Sequence, residues 1–270
     1  SIFDIAESHG IYLQLSPWWG HHADSKLGSR YFASPEEDNF RFGKFLGERY
    51  GFRSNLLWCV SGEYQRPYTE RRPIPMPVEH LKHFDSIAEG MRAGESFRHL
   101  MTIHPNGLYS SSEDFHDHEW LDFNTVQTHK GFDYIDHLIT DDWEREPVKP
   151  VLNSEGWYEA EPSMYELPTW EKMDVNWLQR LQAYWSVFFG SFGYTYGHSQ
   201  VWKMRELTNT QGTFPGQALG SDAPSQLIHL RNLVEHYASA DWSPDRRLLT
   251  GSSTGSDFGR FYGTSPNLNC

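Results

Sequence analysis

The feature that most constrains the fold of this 270-residue chain is the alternation of short apolar segments with longer amphipathic ones. The short segments have the length and apolar content of buried strands, and the longer ones repeat their apolar residues at helical spacing. Such alternation is typical of a parallel α/β protein. The predicted strands are residues 11–15, 56–60, 99–103, 121–126, 148–153 and 193–197, and the predicted helices are residues 35–50, 78–91, 132–143, 175–189 and 225–237.

Two parallel architectures fit this alternation, a doubly wound sheet and a (β/α)₈ barrel. No glycine-rich phosphate-binding loop follows a predicted strand, which argues against a doubly wound nucleotide-binding domain. Polar and aromatic residues instead follow at least five strands, and a barrel builds its site from the loops at the carboxyl ends of all its strands. The sequence therefore predicts an α/β fold of the (β/α)₈ TIM-barrel type. Because only six strands are recognisable, the first two βα units are expected to lie before Ser1.

The composition changes near residue 240, which predicts a domain boundary. Residues 1–240 carry the alternation and are predicted to form a catalytic TIM-barrel domain in part. Residues 241–270 are rich in Gly, Ser, Thr and Pro without a helical period, so we interpret them as a linker or the start of a β-rich domain. Residues 1–10 resemble the last turns of a helix that ends at a glycine, and the chain is therefore expected to be an N-terminally truncated fragment.

Composition and charge exclude several classes of partner. A net charge of −13 repels phosphate backbones, so no nucleic-acid partner is expected. No apolar stretch reaches the ~18 residues of a transmembrane helix, so no membrane partner is expected either. The two cysteines, Cys59 and Cys270, do not make a disulfide framework, and Cys59 is expected to be a buried apolar residue. Aromatic residues make up 16% of the chain, an excess that suits a cleft where sugar rings stack on flat faces.

Two glutamates at strand ends are the strongest candidates for catalysis. Glu63 follows the apolar run of residues 56–60, Glu155 follows that of residues 148–153, and a small residue precedes each glutamate. A carboxylate at the end of a buried strand is firmly held, and two of them facing one pocket make the acid/base and nucleophile pair of a glycosidase. Glu159 competes with Glu155, but Glu155 lies closer to its strand, so we expect a structural role for Glu159.

Histidines that follow strands suggest contacts with sugar hydroxyls. His104, His129 and His198 each follow a predicted strand, and a barrel would bring all three to the same mouth. Together with His21 and His22 they also permit a metal site. The His-Glu-x-x-His motif of zinc hydrolases is absent from the sequence, so we predict no metal and no cofactor.

Aromatic and polar residues near the strand ends complete the predicted site. Aromatic rings would stack on sugar faces, and polar residues that alternate along a strand share one face, where they would support or contact a ligand. The predicted catalytic residues are Glu63 and Glu155. The predicted substrate-binding residues are Trp18, Trp19, Tyr64, His104, Asp122, Asn124, Gln127, His129, Trp157, Tyr158, Tyr196, His198 and Trp202.

The order of these motifs resembles that of the apiosidase-like glycoside hydrolases. The resemblance covers roughly residues 11–242, and five modest motifs in the same order are more specific than any one of them. It rests on residues 58–63, on residues 102–105, on residues 120–124 with Gln127 and His129, on residues 150–155 with Tyr158 and Glu159, and on residues 193–198 with Trp202.

The resemblance implies a (β/α)₈ barrel and a retaining mechanism, with an acid/base carboxyl group after the fourth strand and a nucleophile after the seventh. These roles map onto Glu63 and Glu155, and residues 11–15 then form the third strand. Characterised apiosidases carry an aspartate at the acid/base position, so Glu63 is a departure that extends the proton donor by one methylene and puts the substrate in doubt. The resemblance further implies an extracellular or periplasmic location and a C-terminal β-sandwich that begins after residue 240.

We therefore expect a retaining glycoside hydrolase that cleaves a glycosidic bond in a polysaccharide or its side chain, with carbohydrate as its partner. One alternative is a non-catalytic carbohydrate-binding barrel that keeps the aromatic cleft. A second alternative is a metal-dependent hydrolase built on the histidines.

Overall fold

The structure, a computed structural model, has a mixed α/β fold. It describes residues 1–20, 32–64, 66–69, 72–74, 76–129, 134–160, 175–202, 218–237 and 243–244. The chain divides into two compact units, of which the first comprises Ser1–Gln127 and Arg145–Pro150 and the second Thr128–Glu144 and Val151–Cys270.

The first unit contains a parallel sheet of β1 (Leu13–Leu15), β2 (Leu56–Gly62) and β5 (Met101–His104), which pair in the order β1-β2-β5. Leu13 of β1 pairs with Leu56 of β2, and Trp58 of β2 pairs with Met101 of β5. The parallel pairing predicted from the alternation is confirmed for these strands. The elements are α1 (Ile2–Ser8), β1 (Leu13–Leu15), α2 (Glu36–Tyr50), β2 (Leu56–Gly62), β3 (Arg66–Thr69), β4 (Arg72–Ile74), α3 (Val78–Gly94), β5 (Met101–His104), β6 (Tyr109–Ser110), α4 (Ser112–Phe115) and β7 (Asn124–His129), whose last two residues belong to the second unit.

The core of the first unit lies between β2 and α3. Leu56, Trp58 and Val60 alternate along β2 and so share one face, where they are buried in one cluster with Phe84 of α3. Burying an apolar side chain of this size contributes about 1.5–3 kcal/mol to folding.

Helices α2 and α3 approach each other through glycines. Gly43 and Gly47 lie on α2, and Gly90 and Gly94 lie on α3. A Cβ atom added at any of them would come within 2.1–2.4 Å of a backbone oxygen of the facing helix. Since real Cβ contacts are much longer, these four positions set the separation of the helices.

The second unit is built around β8 (Val151–Gly156) and α6 (Val175–Phe188). Thr128, at the end of β7, hydrogen-bonds to Asn153 of β8, and Asn153 forms a parallel bridge with Tyr194. A second parallel bridge joins Glu159 to His198. The elements are α5 (Ile135–Trp143), β8 (Val151–Gly156), α6 (Val175–Phe188), α7 (Ser199–Trp202) and α8 (Asp222–Tyr237).

Most predicted elements are confirmed in type, but several boundaries were wrong. The strand predicted at 121–126 is β7, Asn124–His129, because the apolar residues Leu121 and Phe123 are buried in the loop ahead of it. The strand predicted at 148–153 is β8, Val151–Gly156. The strand predicted at 193–197 is reduced to a single bridge, and the start of the helix predicted at 132–143 lies outside the described residues.

The described strands pair as small separate sheets, and no closed barrel forms in this part of the chain. The eight-stranded barrel and the two units before Ser1 therefore stay predictions. Residues 241–270 lie outside the described residues except for 243–244, so their predicted role is also untested. No described helix is both long enough and apolar enough to cross a bilayer. Cys59 is buried as predicted, and burial raises the pKa of its thiol to about 11.

Candidate active site

Glu63 begins the loop after β2 in an unusual backbone conformation. Its φ is +42°, in the left-handed region that residues with a side chain rarely adopt. Such a conformation costs of order 1 kcal/mol or more, and it is most often found at functional sites. The residue before it, Gly62, lies under the Trp19 ring, where an added Cβ would come within 2.1 Å of Trp19 Cζ3. The backbone N–H of Gly62 donates to the Trp18 carbonyl at 3.0 Å, and this hydrogen bond holds residues 18 and 19 beside the end of β2.

The carboxylate of Glu63 accepts hydrogen bonds at both oxygens. Trp19 Nε1 donates to Oε2 at 3.0 Å, and Gln127 Nε2 donates to Oε1 at 3.1 Å. The Trp19 ring is 39% exposed, its centroid lies 5.7 Å from that of His104, and Gln127 is buried at the end of β7. The structure thus brings four sequence-predicted residues together in the first unit: Trp19, Glu63, His104 and Gln127.

Tyr64 and Trp18 belong to the core rather than to this group. Tyr64 has no exposed surface, its hydroxyl donates to Asp114 Oδ2 at 2.9 Å, and its ring packs on Phe84 and Phe115. Burial raises the pKa of Tyr64 well above its usual range. Trp18 packs against Phe84. The prediction that Tyr64 contacts substrate is therefore corrected: its phenol anchors the loop that follows Glu63.

Asp122 and Asn124 lie at the opposite end of β7 from Gln127. Asp122 accepts from Arg92 and Arg98 at 2.6 Å each and precedes the strand. Asn124, the first residue of β7, is buried against the His116 ring. Because β7 starts at 124 rather than at 121, these two residues stabilise the amino end of the strand, and their predicted contact with ligand is corrected.

Glu155 lies near the carboxyl end of β8 and is 9% exposed. Asn153 hydrogen-bonds to Ser186 of α6 at 2.8 Å, and a Cβ added at Gly156 would meet Gln182 of α6 at 2.7 Å.

The peptide groups after β8 are held by glutamine side chains from α6. Gln182 Oε1 accepts the Trp157 N–H at 2.6 Å, and Gln179 Nε2 donates to the Trp157 carbonyl at 2.7 Å. The Tyr194 hydroxyl donates to Gln179 Oε1 at 3.1 Å. Trp157 itself is 1% exposed, so it is a buried residue and not the predicted pocket wall. Sequence analysis missed both glutamines, although their spacing on one face of an amphipathic helix was a usable signal.

Glu159 accepts two hydrogen bonds at one oxygen. Both the Tyr196 hydroxyl and the Ser221 hydroxyl donate to Oε2, the second at 3.1 Å. Burial and the hydrogen bond to Glu159 raise the pKa of Tyr196 far above its usual range, so the phenol remains a donor at neutral pH. The Tyr196 phenol thus contacts a carboxylate, and the predicted contact of its ring with substrate stays a prediction.

The remaining predicted residues lie around this carboxylate or at a strand end. His198 is paired with Glu159 across the parallel bridge. Tyr158 covers Gly197, where a Cβ would come within 2.0 Å of its ring, and its centroid lies 6.2 Å from that of Trp202, which is 57% exposed. His129 ends β7 with a φ of +40° and is half-buried. The second unit therefore brings Tyr158, Tyr196, His198 and Trp202 together with Glu159.

Within the described ranges, no group of three His, Cys, Asp or Glu residues is arranged to hold a metal ion. His116 and His118 instead bond to Asn124 and Asp85. His21 and His22, part of the histidine set behind the metal alternative, lie outside the described residues.

Comparison with known proteins relates this chain to an apiosidase-like family and to structures described as glycoside hydrolases. Residues 1–241 match the family described as "Apiosidase-like, catalytic domain". A solved glycoside hydrolase family 5 protein from Bacteroides vulgatus is 26% identical, with a TM-score of 0.76 over 93% of this chain and 54% of its own. A second solved structure, described as a glycoside hydrolase, is 24% identical with a TM-score of 0.75 over 93% of this chain and 57% of its own, a likeness that concerns the fold alone. The chain thus spans about half the length of these structures. No curated protein matches the sequence significantly.

Proposed function

This chain belongs to the family of apiosidase-like catalytic domains, and from that membership we propose that it is a retaining glycoside hydrolase. Its substrate would be a glycosidic bond in a polysaccharide or in a polysaccharide side chain. Carbohydrate is the proposed partner, and an extracellular or periplasmic location is proposed on the same grounds.

The observation that best supports this proposal is the setting of Glu63. A carboxylate in a left-handed backbone conformation, with Trp19 and Gln127 donating to its two oxygens, has a fixed position and a fixed plane. Proton transfer to a leaving oxygen depends on such positioning. The exposed indole of Trp19 beside it offers a flat apolar face of the kind on which a sugar ring stacks.

The proposed mechanism has two displacements. Glu155 attacks the anomeric carbon, the glycosidic bond breaks, and Glu63 gives its proton to the departing oxygen. The product of this step is a glycosyl ester on Glu155. Glu63, now ionised, then takes a proton from water, whose oxygen attacks the anomeric carbon and releases both the sugar and the Glu155 carboxylate. Two inversions at one carbon retain its configuration.

A panel of p-nitrophenyl glycosides tests the proposal. The panel contains neutral pentosides and hexosides and also uronides, and release of nitrophenol identifies the sugar that the protein accepts. Proton NMR of the first-formed sugar from that substrate should show the same anomer as the substrate. An inverted product would remove the retaining mechanism, and no release from any glycoside would favour a non-catalytic carbohydrate-binding protein.

Substitution of the two carboxylates assigns their roles. Glu155→Gln should lower kcat by about 10³-fold or more, as expected when a nucleophile is lost, while circular dichroism shows an intact fold. Glu235→Gln, at an exposed glutamate of α8 that pairs with Arg231, is the matched control and should keep wild-type activity. Full activity in Glu155→Gln would exclude Glu155 from the reaction.

A further inference from the structure

We propose that Glu159 and His198 together bind hydroxyl groups of a neutral sugar, and that the negative charge of Glu159 discriminates against uronic acids. This inference rests on the proposed function, because it places part of the sugar substrate on the second unit. It also replaces the structural role that the sequence suggested for Glu159.

Glu159 has one oxygen engaged and one oxygen available. Tyr196 and Ser221 both donate to Oε2, whereas Oε1 has no hydrogen-bond partner among the residues that the structure describes. The residue is 8% exposed, so this acceptor lies in a largely enclosed setting. Oε1 is not among the solvent-excluded side-chain atoms that lack a partner, so it reaches solvent and is accessible to a ligand hydroxyl that donates to it.

His198 supplies a donor beside this acceptor. Its Nδ1 accepts the backbone N–H of Gln200 at 3.1 Å, so in the neutral ring the proton resides on Nε2. Burial lowers the pKa of His198, an effect that the charge of Glu159 partly opposes, and the neutral ring is therefore favoured near pH 7. The ring is almost fully buried, and its Nε2 has no partner in the described part of the chain.

The two side chains lie on the same face of the chain segments that carry them. Glu159 and His198 are paired in a parallel bridge, with the Glu159 N–H donating to the Gly197 carbonyl and the Ser199 N–H donating to the Glu159 carbonyl, both at 2.9 Å. Paired residues of neighbouring strands project from the same face. A sugar hydroxyl is at once a donor and an acceptor, so one hydroxyl, or two on adjacent carbons, can donate to Glu159 and accept from His198.

An exposed aromatic ring follows these groups directly. Trp202 lies one short helix after His198, its backbone N–H donates to the His198 carbonyl at 3.2 Å, and 57% of it is exposed. Its ring contacts Tyr158, the neighbour of Glu159. An acceptor, a donor and an exposed indole are the groups that recognise the hydroxyls and the apolar face of a pyranose or furanose.

The charge of Glu159 decides which sugars fit. No Lys or Arg of the described residues forms an ion pair with it, so its charge is not neutralised there. A uronic acid would bring a second carboxylate close to the first, and like charges repel strongly where water is largely excluded. The site therefore suits a neutral sugar.

Kinetics of Glu159→Gln test the inference, with the glycoside that the wild-type protein hydrolyses best. The amide keeps the size of the side chain but loses the charged acceptor, so KM should rise by about 10- to 100-fold, the scale of a lost charge-assisted hydrogen bond. The value of kcat should change by less than about threefold, which separates binding from catalysis. The preference for the neutral glycoside over the matching uronide should also fall at least tenfold. Glu155→Gln should show the opposite pattern, with kcat lost, and Glu235→Gln should change neither constant.

Three outcomes would overturn the inference: an unchanged KM in Glu159→Gln, a loss of kcat alone, or an unchanged preference against uronides. If Glu159→Gln fails to fold, Trp202→Ala provides the test at an exposed position, and its KM should rise by about tenfold. An unchanged KM in that variant would also count against the site.

Failure of the proposed function is a separate result. If the wild-type protein hydrolyses no glycoside, saturation-transfer NMR with neutral monosaccharides and with galacturonic and glucuronic acids replaces kinetics. Selective binding of a neutral sugar that is lost in Glu159→Gln would support the site without catalysis. Equal binding by both proteins, or no binding by the wild type, would overturn it.

Discussion

The two units of this protein hold their carboxylates in different ways. In the first unit, both oxygens of Glu63 accept from N–H donors, one on Trp19 and one on Gln127. In the second unit, Glu159 accepts two O–H donors, from Tyr196 and Ser221, at a single oxygen. A carboxylate held at both oxygens has a fixed plane, whereas one held at a single oxygen keeps an acceptor for a ligand. This difference fits the roles proposed for them, proton transfer for Glu63 and substrate binding for Glu159.

The backbones that carry the two proposed catalytic glutamates are also stabilised differently. Glu63 has a positive φ beside a glycine covered by an indole ring. The chain after Glu155 is held by Gln182, which accepts from the backbone N–H of Trp157, and by Gln179, which donates to the Trp157 carbonyl. In the first unit, packing of Trp19 on Gly62 accompanies the strained backbone of Glu63. In the second unit, the side-chain amides of Gln179 and Gln182 make the backbone hydrogen bonds that a neighbouring strand would otherwise make.

The largest effect on the first arrangement is expected from Gly62→Ala. The new Cβ would overlap the Trp19 ring, which must then move and withdraw its N–H from Glu63. We expect kcat/KM to fall by about 100-fold and the free energy of unfolding by about 1–3 kcal/mol, the usual cost of overpacking. The matched change in the second unit is Gly193→Ala, where the nearest atom to an added Cβ lies 3.2 Å away. Equal losses in the two variants would contradict the close contact between Trp19 and Gly62.

A glutamine in each unit provides the next comparison. Gln182→Leu leaves the buried N–H of Trp157 without its acceptor, so the free energy of unfolding measured in urea should fall by about 1–3 kcal/mol. Gln127→Leu should cost less stability, because Gln127 Oε1 already lacks a partner within the described residues, but it should lower kcat by removing one donor to Glu63. A reversed order of the two stability losses would contradict this assignment.

Trp19→Phe tests the contribution of the Trp19 hydrogen bond to Glu63 separately from that of the aromatic ring. Phenylalanine keeps an aromatic face over Gly62 but cannot donate to Glu63, so kcat should fall by about tenfold with little change in the melting temperature. Trp202→Phe in the second unit is the control and should leave kcat unchanged. A loss of binding without a change in kcat would show that Trp19 contacts sugar but does not orient Glu63.

Glu63→Asn should make the protein more stable while it abolishes turnover. Asparagine tolerates the left-handed region better than glutamate, so relief of the backbone strain should add about 0.5–1 kcal/mol to the free energy of unfolding. Thermal and urea unfolding measure this gain. A loss of stability would mean that the hydrogen bonds of the carboxylate outweigh the strain of its backbone.

The smallest effect is expected in the pH dependence of stability. Burial lowers the pKa of His198 in the second unit and of His83 in the first, and the charge of Lys82 adds to the shift at His83. A histidine with a lowered folded-state pKa binds protons more readily when unfolded, so its contribution is complete above about pH 6.5 and is lost as the pH falls below that value. His198→Gln and His83→Gln should each flatten the decline of the melting temperature between pH 7 and pH 5. An unaltered decline in both variants would exclude these two rings as its cause.

The sequence predicted the type of most elements because strand and helix periods are local properties. It located Glu63 correctly beyond an apolar strand, and the aromatic ring beside it was among the predicted residues. It misplaced β7, because Leu121 and Phe123 are apolar and alternate as a strand would, yet they are buried in a loop. That shift is why Asp122 was expected near a ligand rather than in its ion pairs with Arg92 and Arg98.

Other parts of the site depend on contacts between residues far apart in the chain. The pairing of Glu159 with Tyr196 and Ser221 joins positions that no local pattern connects. The hydrogen bond from Gln127 to Glu63 spans 64 positions. The spacing of apolar residues along the sequence indicates only which face of a helix or strand is buried. It could therefore identify candidate residues but could not predict which of them form hydrogen bonds with each other.

The glycines between α2 and α3 have a consequence for any survey of mutational tolerance. Gly43, Gly47, Gly90 and Gly94 each face a backbone oxygen at a distance that admits only a hydrogen atom. Almost every replacement there should be rejected, as sharply as a replacement of Glu63 or Glu155. A map of intolerant positions would therefore show the glycines and the two glutamates with equal severity. An assay that measures protein abundance separately from turnover would distinguish them, because replacing a glycine lowers abundance whereas replacing a glutamate lowers turnover.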